Sequence, residues 1–204
     1  LFGEQHGVAD IPHFIRDVVS KTQINGFDNL IIESDPLTGE MISDMGIHEF
    51  ISKYPHALAF DFDGEIALIE FVTLGEEGKQ VIWGVDQPVT AMHTLQILEQ
   101  IALTANTKRI CRGLFLKSVL KAGEYLKENN IQDLNLLKDS FMQEKNSSAV
   151  RIVDQLISSM EIYNAHRAAK RGEMPYQVSV NQRETFMKKN FDDFILKTNG
   201  KKKA

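Results

Sequence analysis

Leu1–Glu33 reads LFGEQHGVADIPHFIRDVVSKTQINGFDNLIIE, and the predicted fold depends mainly on these residues. Its two ends, Leu1-Phe2 and Asn29–Glu33, are short and apolar, as buried strands are. Between them, Ala9–Thr22 carries apolar residues three and four positions apart, which is the spacing of an amphipathic helix. A strand, a helix and a second strand form a βαβ unit, and such a crossover joins parallel strands. We therefore expect a sheet that is at least partly parallel.

Further strands are predicted in the first half of the chain. Ala57–Phe62 and Ile66–Val72 have the spacing of a hairpin, with Asp63-Gly64 as its turn. Gln80–Gly84 is the last predicted strand, and Ile47–Lys53 is predicted as a short helix. The sheet would be mixed, because a hairpin adds an antiparallel pair to the βαβ unit.

From Pro88 onward the apolar spacing is helical. The predicted helices are Met92–Ala105, Ile110–Glu128, Asn135–Glu144, Ala149–Lys170 and Arg183–Leu196. We therefore predict a single α/β domain over residues 1–204, with a partly parallel mixed sheet and a large helical insertion or cap. Residues 1–87 would be the sheet-rich half that carries the site, residues 88–180 the helical part, and residues 181–204 a return helix and tail. The two chain ends lead us to expect a domain that is incomplete at both.

The composition argues against several classes of protein. The 204 residues include 23 Lys and Arg against 28 Asp and Glu, a formal charge of −5, and 43% are apolar, which argues against a disordered chain. Residues 1–100 hold 17 acids and 4 bases (−13), whereas residues 101–204 hold 11 acids and 19 bases (+8), which argues against a uniformly basic nucleic-acid-binding protein. No apolar run approaches the roughly 20 residues of a membrane helix, so we expect no membrane span. A cytoplasmic and an exported location both stay open.

The residues that could carry chemistry in the first half follow predicted strands. Glu4 and His6 lie in the GEQHG sequence at positions 3–7, and Glu33 and Asp86 end later strands. Ligand sites of open α/β sheets lie beyond the carboxyl ends of the strands. A carboxylate beside an imidazole raises its pKa and fixes its tautomer, which prepares the ring as a general base. We therefore predict an acidic cleft in which Glu33 and His6 are paired.

Other interpretations stay open. Glu33 could merely cap the turn that follows it, together with Ser34 and Asp35. A metal could bind the trio of His6, Asp10 and His13, which share one helix face. Asp61, in a DFDG sequence, is placed like the nucleophile of haloacid-dehalogenase-like phosphatases, although Glu65 stands where those enzymes prefer Thr. The remaining candidates are expected to be structural or solvated: His48, His56, His93, His166 and Cys111, the single cysteine, which is expected in the core.

Taken together, these residues resemble the erythromycin-esterase-like proteins. The similarity rests on the GEQHG sequence followed by Asp10, on Arg16 and on Glu33 at a strand end. Gly84-Val85-Asp86 is similar to the G-x-D strand end of that family, and residues 181–187 (NQRETFM), with Asn190, to its late N-x-R helix. The wider superfamily includes haem-uptake proteins of the ChaN type and the Tiki and TraB metalloprotease-like proteins.

The resemblance implies a role for each matching residue. His6 would be the general base, with Glu4 and Glu33 as its acidic partners. Substrate-binding residues would be Arg16, Asp86 and Arg183. The chain departs from the family in having one residue rather than two between the first acid and His6, and ten rather than nine positions from that histidine to the arginine. A second catalytic histidine of the esterases would follow Ala204, and the macrolide substrate does not transfer.

Three functions are therefore expected as alternatives. The first is an esterase-like hydrolase in which His6 activates water against an ester or amide of a small molecule. The second is a metal-dependent, protease-like hydrolase in which a divalent metal is held by Glu4, His6 and Glu33. The third is a protein of the ChaN type that binds haem or another small ligand. The sequence leaves the substrate and the oligomeric state open.

Overall fold

The computed structural model describes residues 12, 14–17, 29–55, 57–58, 63–73, 81–121, 124–128 and 130–198. The elements of the first part are β1 (Leu30–Ile32), α1 (Pro36–Met45), α2 (Ile47–Lys53), α3 (Asp63–Thr73) and β2 (Ile82–Gly84). The elements that follow are α4 (Met92–Ile101), α5 (Ala105–Leu120), a 3-10 turn (Glu124–Lys127), α6 (Ile131–Gln143), α7 (Ser147–Lys170) and α8 (Tyr176–Lys197).

The predicted α/β fold with a mixed sheet is wrong, because 76% of the described residues are helical. The sheet of this part of the chain has two strands, β1 and β2, which pair in parallel with Leu30 opposite Ile82 and Ile32 opposite Gly84. The predicted first strand, Leu1-Phe2, lies outside the described residues.

The main error lies at Ile66–Val72, which was predicted as a strand and forms most of α3. The predicted turn residues Asp63 and Gly64 instead begin the helix, and Asp63 and Glu65 put carboxylates into its first turn, where they favour the helix dipole. The buried residues Glu65, Leu68 and Ile69 follow helical spacing. Ala57 and Leu58 are not in a strand, and residues 59–62 lie outside the described part.

Helix α1 was not predicted, although its N-terminus is strongly encoded. Asp35 is the N-cap, and its Oδ1 accepts a hydrogen bond from the backbone N–H of Thr38 at 3.1 Å. The Thr38 hydroxyl donates to Oδ2 of the same carboxylate at 2.6 Å. Pro36 follows the cap at the first helical position, where its missing N–H costs nothing. These residues turn the chain directly from β1 into a helix.

Helix α1 packs closely on β2. A Cβ added at Gly39 would lie 2.5 Å from the backbone nitrogen of Gly84, so only glycine allows this approach. The Ser43 hydroxyl accepts from the backbone N–H of Ile82 at 2.9 Å and of Val81 at 3.2 Å, and it donates to the Gly39 carbonyl at 2.9 Å. Ser43 therefore accepts hydrogen bonds from backbone N–H groups at the start of β2.

The chain divides into two compact units, which are described separately. The first unit comprises residues 1–85 and 190–204, and the second comprises residues 86–189. The core of the first unit includes Ile42, Ile47, Phe50, Ile82 and Phe194. The core of the second includes Leu95, Leu98, Cys111, Leu134, Leu137, Phe141, Leu156 and Met160. Among the described residues, no helix is long and apolar enough to cross a membrane.

Candidate functional site

Two of the predicted substrate-binding residues form an ion pair in the second unit. Arg183, on α8, donates from Nε to Asp86 Oδ1 at 3.0 Å and from Nη2 to Asp86 Oδ2. The fork of a guanidinium matches the two oxygens of a carboxylate, which gives the pair a fixed geometry. The side chain of Asp86 is 7% exposed and that of Arg183 is 42% exposed. The buried carboxylate is thus covered on one side by a guanidinium that reaches the surface.

The segment after Asp86 is rich in buried polar side chains. The backbone N–H of Gln87 donates to Asp86 Oδ1 at 2.7 Å, so that one oxygen accepts from both the segment and Arg183. Further along, Ser159 of α7 donates to the carbonyl of Pro88 at 2.6 Å. Other buried polar residues of this stretch are Thr90, His93 and Thr94. Helix α7 therefore holds the segment through a polar contact rather than through apolar packing alone.

Tyr163 lies one helical turn beyond Ser159 on α7. Burial raises the pKa of the Tyr163 hydroxyl, the Asp86 carboxylate raises it further, and the Arg183 guanidinium opposes them. The phenol is therefore a neutral hydrogen-bond donor near the ion pair. Sequence reasoning identified neither Tyr163 nor Gln87. Gln87 is adjacent to Asp86 in the sequence, which is a signal that could have identified it. The sequence around Tyr163 gives no sign that this residue lies near Asp86 and Arg183.

The other predicted site residues are placed as follows. Glu33 is exposed and directly follows β1, in the turn between the strand and the Asp35 cap of α1. Arg16 lies in a short helical stretch and is half-buried. Outside the described residues lie Glu4, His6, Asp10, His13, His56 and Asp61. Of the predicted substrate-binding residues, the structure thus brings together Asp86 and Arg183.

Two grooves are lined by residues other than this ion pair. One, of about 520 Å³ in the first unit, is lined by His48 of α2 and by Asp63 and Glu70 of α3, and His48 Nε2 lies 3.5 Å from Glu70 Oε2. The other, of about 750 Å³ in the second unit, is lined by residues of α7 and of the 3-10 turn region, including Glu161 and Arg167. No group of three or more His, Cys, Asp or Glu side chains within the described ranges could hold a metal ion. Neither groove contains a residue predicted for the site.

Comparisons with protein-family models, with curated proteins and with solved structures found no match to this chain.

Proposed function

We propose that the protein is a hydrolase in which His6 acts as a general base on water that attacks an ester or amide of a small molecule. Glu4 and Glu33 would be the acidic partners that orient the imidazole and stabilise its protonated form. An arginine, either Arg16 or Arg183, would stabilise the negative charge that develops on the substrate oxygen.

The pairing of Asp86 with Arg183 is the observation that carries this proposal. The two residues are 97 positions apart, and no periodicity or composition relates them. They were associated because one ends a G-x-D sequence and the other belongs to an N-x-R helix, as in the erythromycin-esterase-like proteins. Their contact is what we expect if both residues line one substrate-binding site, as the resemblance implies. The proposal assigns this pair to substrate binding, with Asp86 holding the guanidinium in a fixed orientation.

The position of Glu33 supports the proposal independently. Glu33 directly follows β1, and β1 is paired in parallel with β2, so both strands end at the same sheet edge. We propose that a ligand binds at this edge, as ligands do at the carboxyl ends of parallel strands in open α/β sheets. The side chain of Glu33 is exposed, so substrate and water have access to it. A carboxylate that served only to cap α1 would be redundant, because Asp35 already does so.

The test is ester hydrolysis by the full chain and by matched variants. With para-nitrophenyl acetate and butyrate as probes, we expect His6→Ala to lower kcat by about a thousandfold and Glu33→Gln by about tenfold to a hundredfold. The controls are His48→Ala and Glu49→Gln, two exposed residues of α2, which should leave kcat unchanged. Circular dichroism checks that each variant is folded.

Two results would contradict the proposal. One is an absence of turnover above the uncatalysed rate, and the other is a His6→Ala variant as active as the native chain. A chelator separates the metal-dependent alternative, because loss of activity that Zn²⁺ restores would make Glu4, His6 and Glu33 metal ligands instead.

A further inference from the structure

Helix α5 exposes three large apolar side chains near its C-terminal end. Leu116 is 54% exposed, Val119 is 45% exposed and Leu120 is 84% exposed. Residues three and four positions apart lie on one side of a helix, so these three side chains are neighbours. On the opposite side, Cys111 and Leu114 are buried in the core of the second unit. Neighbouring exposed apolar side chains of this size are typical of a surface that contacts another molecule.

Helix α6 continues the surface. The Thr107 and Ser140 hydroxyl oxygens are 2.9 Å apart, and Lys117 Nζ lies 2.8 Å from Asp133 Oδ2, so α5 and α6 run side by side in opposite directions. Leu136, one turn after Asp133, is 62% exposed and lies beside the ion pair that joins the two helices. We define the α5–α6 face by six exposed residues: Arg109, Leu116, Val119, Leu120, Leu136 and Asp139.

The two helices of this face differ in charge. Helix α5 has four basic residues and no acidic residue, and two of the four form ion pairs with acidic residues of α4 and α6. Arg109 of α5 and Asp139 of α6 are both exposed. Arg109 is two residues from Thr107 and Asp139 is next to Ser140, so the contact between those hydroxyls puts the two charged residues at nearly the same level along the helices. At that level the face is positive on α5 and negative on α6.

This arrangement is complementary to itself. A rotation of 180° about an axis parallel to the helices lays α5 of one copy on α6 of a second copy, in opposite directions and at the same level. Arg109 then lies at the level of Asp139 of the second copy, and the exposed leucines of both helices are buried between the copies. Pairing α5 with α5 instead would bring two basic helices together, which like-charge repulsion disfavours.

We propose that the α5–α6 face joins two copies of this chain into a two-fold symmetric dimer, in which α5 of each copy packs on α6 of the other. An anionic membrane surface fits the face less well, because it would attract α5 but repel the carboxylates of Asp133 and Asp139 on α6. The proposal does not depend on the hydrolase, since neither helix contains a residue assigned to that site.

The first test is the mass of the full chain in solution, measured by sedimentation velocity over a range of concentrations. We expect a particle of twice the mass of one chain, and we expect Leu120→Glu to weaken its formation about a hundredfold, because the two-fold axis introduces a carboxylate at two places in the apolar contact. The matched control is Leu196→Glu on α8, since Leu196 is 72% exposed and belongs to the first unit. Circular dichroism checks that both variants are folded.

Two results of this test would overturn the proposal. One is a native chain that stays monomeric at its highest soluble concentration, whether or not it sediments with vesicles of phosphatidylglycerol. The other is a Leu196→Glu variant that dissociates as readily as Leu120→Glu, because the contact would then not be specific to the α5–α6 face.

The second test exchanges charges and identifies which helices pair. Arg109→Glu and Asp139→Lys should each weaken self-association about tenfold, because the symmetry repeats each repulsive contact. A mixture of the two variants should dimerise as tightly as the native chain, since each altered helix then meets a helix of opposite charge. A mixture no tighter than either variant alone, or an Asp139→Lys variant that dimerises like the native chain, would overturn the packing of α5 on α6.

The dimer and the hydrolase can fail separately. Both tests measure association and not turnover, so a dimer without ester hydrolysis would support the α5–α6 contact and reject the hydrolase. A monomer whose ester hydrolysis depends on His6 would do the reverse.

Discussion

A single carboxylate joins two helices of the second unit. Glu144, directly after α6, accepts from the backbone N–H of Leu103 at 3.0 Å and of Thr104 at 2.9 Å. Thr104 is the N-cap of α5, and its hydroxyl oxygen accepts from the backbone N–H of Thr107 at 3.1 Å. Glu144 thus binds two backbone N–H groups at the start of α5, where negative charge also favours the helix dipole.

Glu144 should make the stability of the protein depend on pH. Partial burial by itself would raise the pKa of this carboxyl, but hydrogen bonds from Leu103, Thr107 and Thr104 outweigh it and lower the pKa from 4.5 to about 2. The folded state therefore binds this proton less readily than the unfolded state, so the stabilisation is complete above pH 4.5 and is lost as the pH falls towards 2.

We expect Glu144→Gln to lower the free energy of unfolding at pH 7 by about 1 kcal/mol, a modest value because the carboxylate is partly solvated. Urea denaturation at several pH values would measure it, and the difference from the native chain should shrink as the pH falls below 4.5. Glu161→Gln, at an exposed position of α7, is the control. A difference that stays constant down to pH 2.5 would show that charge is not the cause.

Single residues also explain how much of the candidate site could be predicted. Asp86 and Arg183 could be predicted as site residues because each lies in a recognisable motif. Neither motif predicts that the two side chains are in contact. Gln87 and Tyr163 were missed because their importance comes from a segment-to-helix contact, made where Ser159 holds Pro88, that no local pattern encodes.

At the scale of elements, the sequence predicted the helices after Pro88 better than the first half. The long amphipathic segments repeat their apolar spacing over several turns, and α7 begins at Ser147, close to the predicted Ala149. Seven residues at Ile66–Val72 are too few to separate strand from helix by composition. In α3 the buried residues Glu65, Leu68 and Ile69 follow helical spacing. Helix α1 was not predicted, because Ser34 and Asp35 were considered only as turn residues after Glu33 and not as the start of a helix.

The contact between α1 and β2 predicts an unusually sensitive glycine. A Cβ at Gly84 would lie 2.0 Å from the backbone carbonyl oxygen of Asp35 and 2.4 Å from the backbone carbonyl carbon of the same residue. These are backbone atoms, which cannot move aside as the end of a side chain can. We expect Gly84→Ala to lower the free energy of unfolding by about 3 kcal/mol, measured by urea denaturation.

The control for Gly84→Ala is Gly113→Ala, in the middle of α5. A Cβ there meets no atom within 4 Å, and alanine is the better helix former, so this variant should gain about 0.5–1 kcal/mol. If both substitutions had the same small effect, the close approach of α1 to β2 would be refuted.

At the scale of the whole molecule, the chain enters the second unit at Asp86 and leaves it at Lys189. The ion pair of Asp86 with Arg183 joins the first residue of this unit to a residue close to its last one. A unit with adjacent ends and its own apolar core has the attributes of an independently folding domain. We therefore assign the ion pair a structural role in this unit, in addition to the proposed one in binding.

We expect a fragment of residues 86–189 to fold by itself. Its circular dichroism should be helical, and its thermal unfolding should be a single cooperative transition. Asp86→Asn in the fragment should lower the unfolding midpoint by several degrees, because it leaves the guanidinium without its partner charge. A fragment that binds hydrophobic dyes and unfolds without a cooperative transition would contradict this expectation.

The same unit contains the single cysteine of the chain in its core. Cys111 on α5 is fully buried, and burial followed by the charge of Glu99 raises the pKa of its thiol to about 12. The thiolate, which is the species that alkylating reagents attack, is therefore almost absent until α5 separates from its neighbours. Cys111 is consequently a built-in probe of local opening. The rate at which iodoacetamide labels the native chain measures how often this core becomes exposed to solvent, and no cysteine has to be introduced.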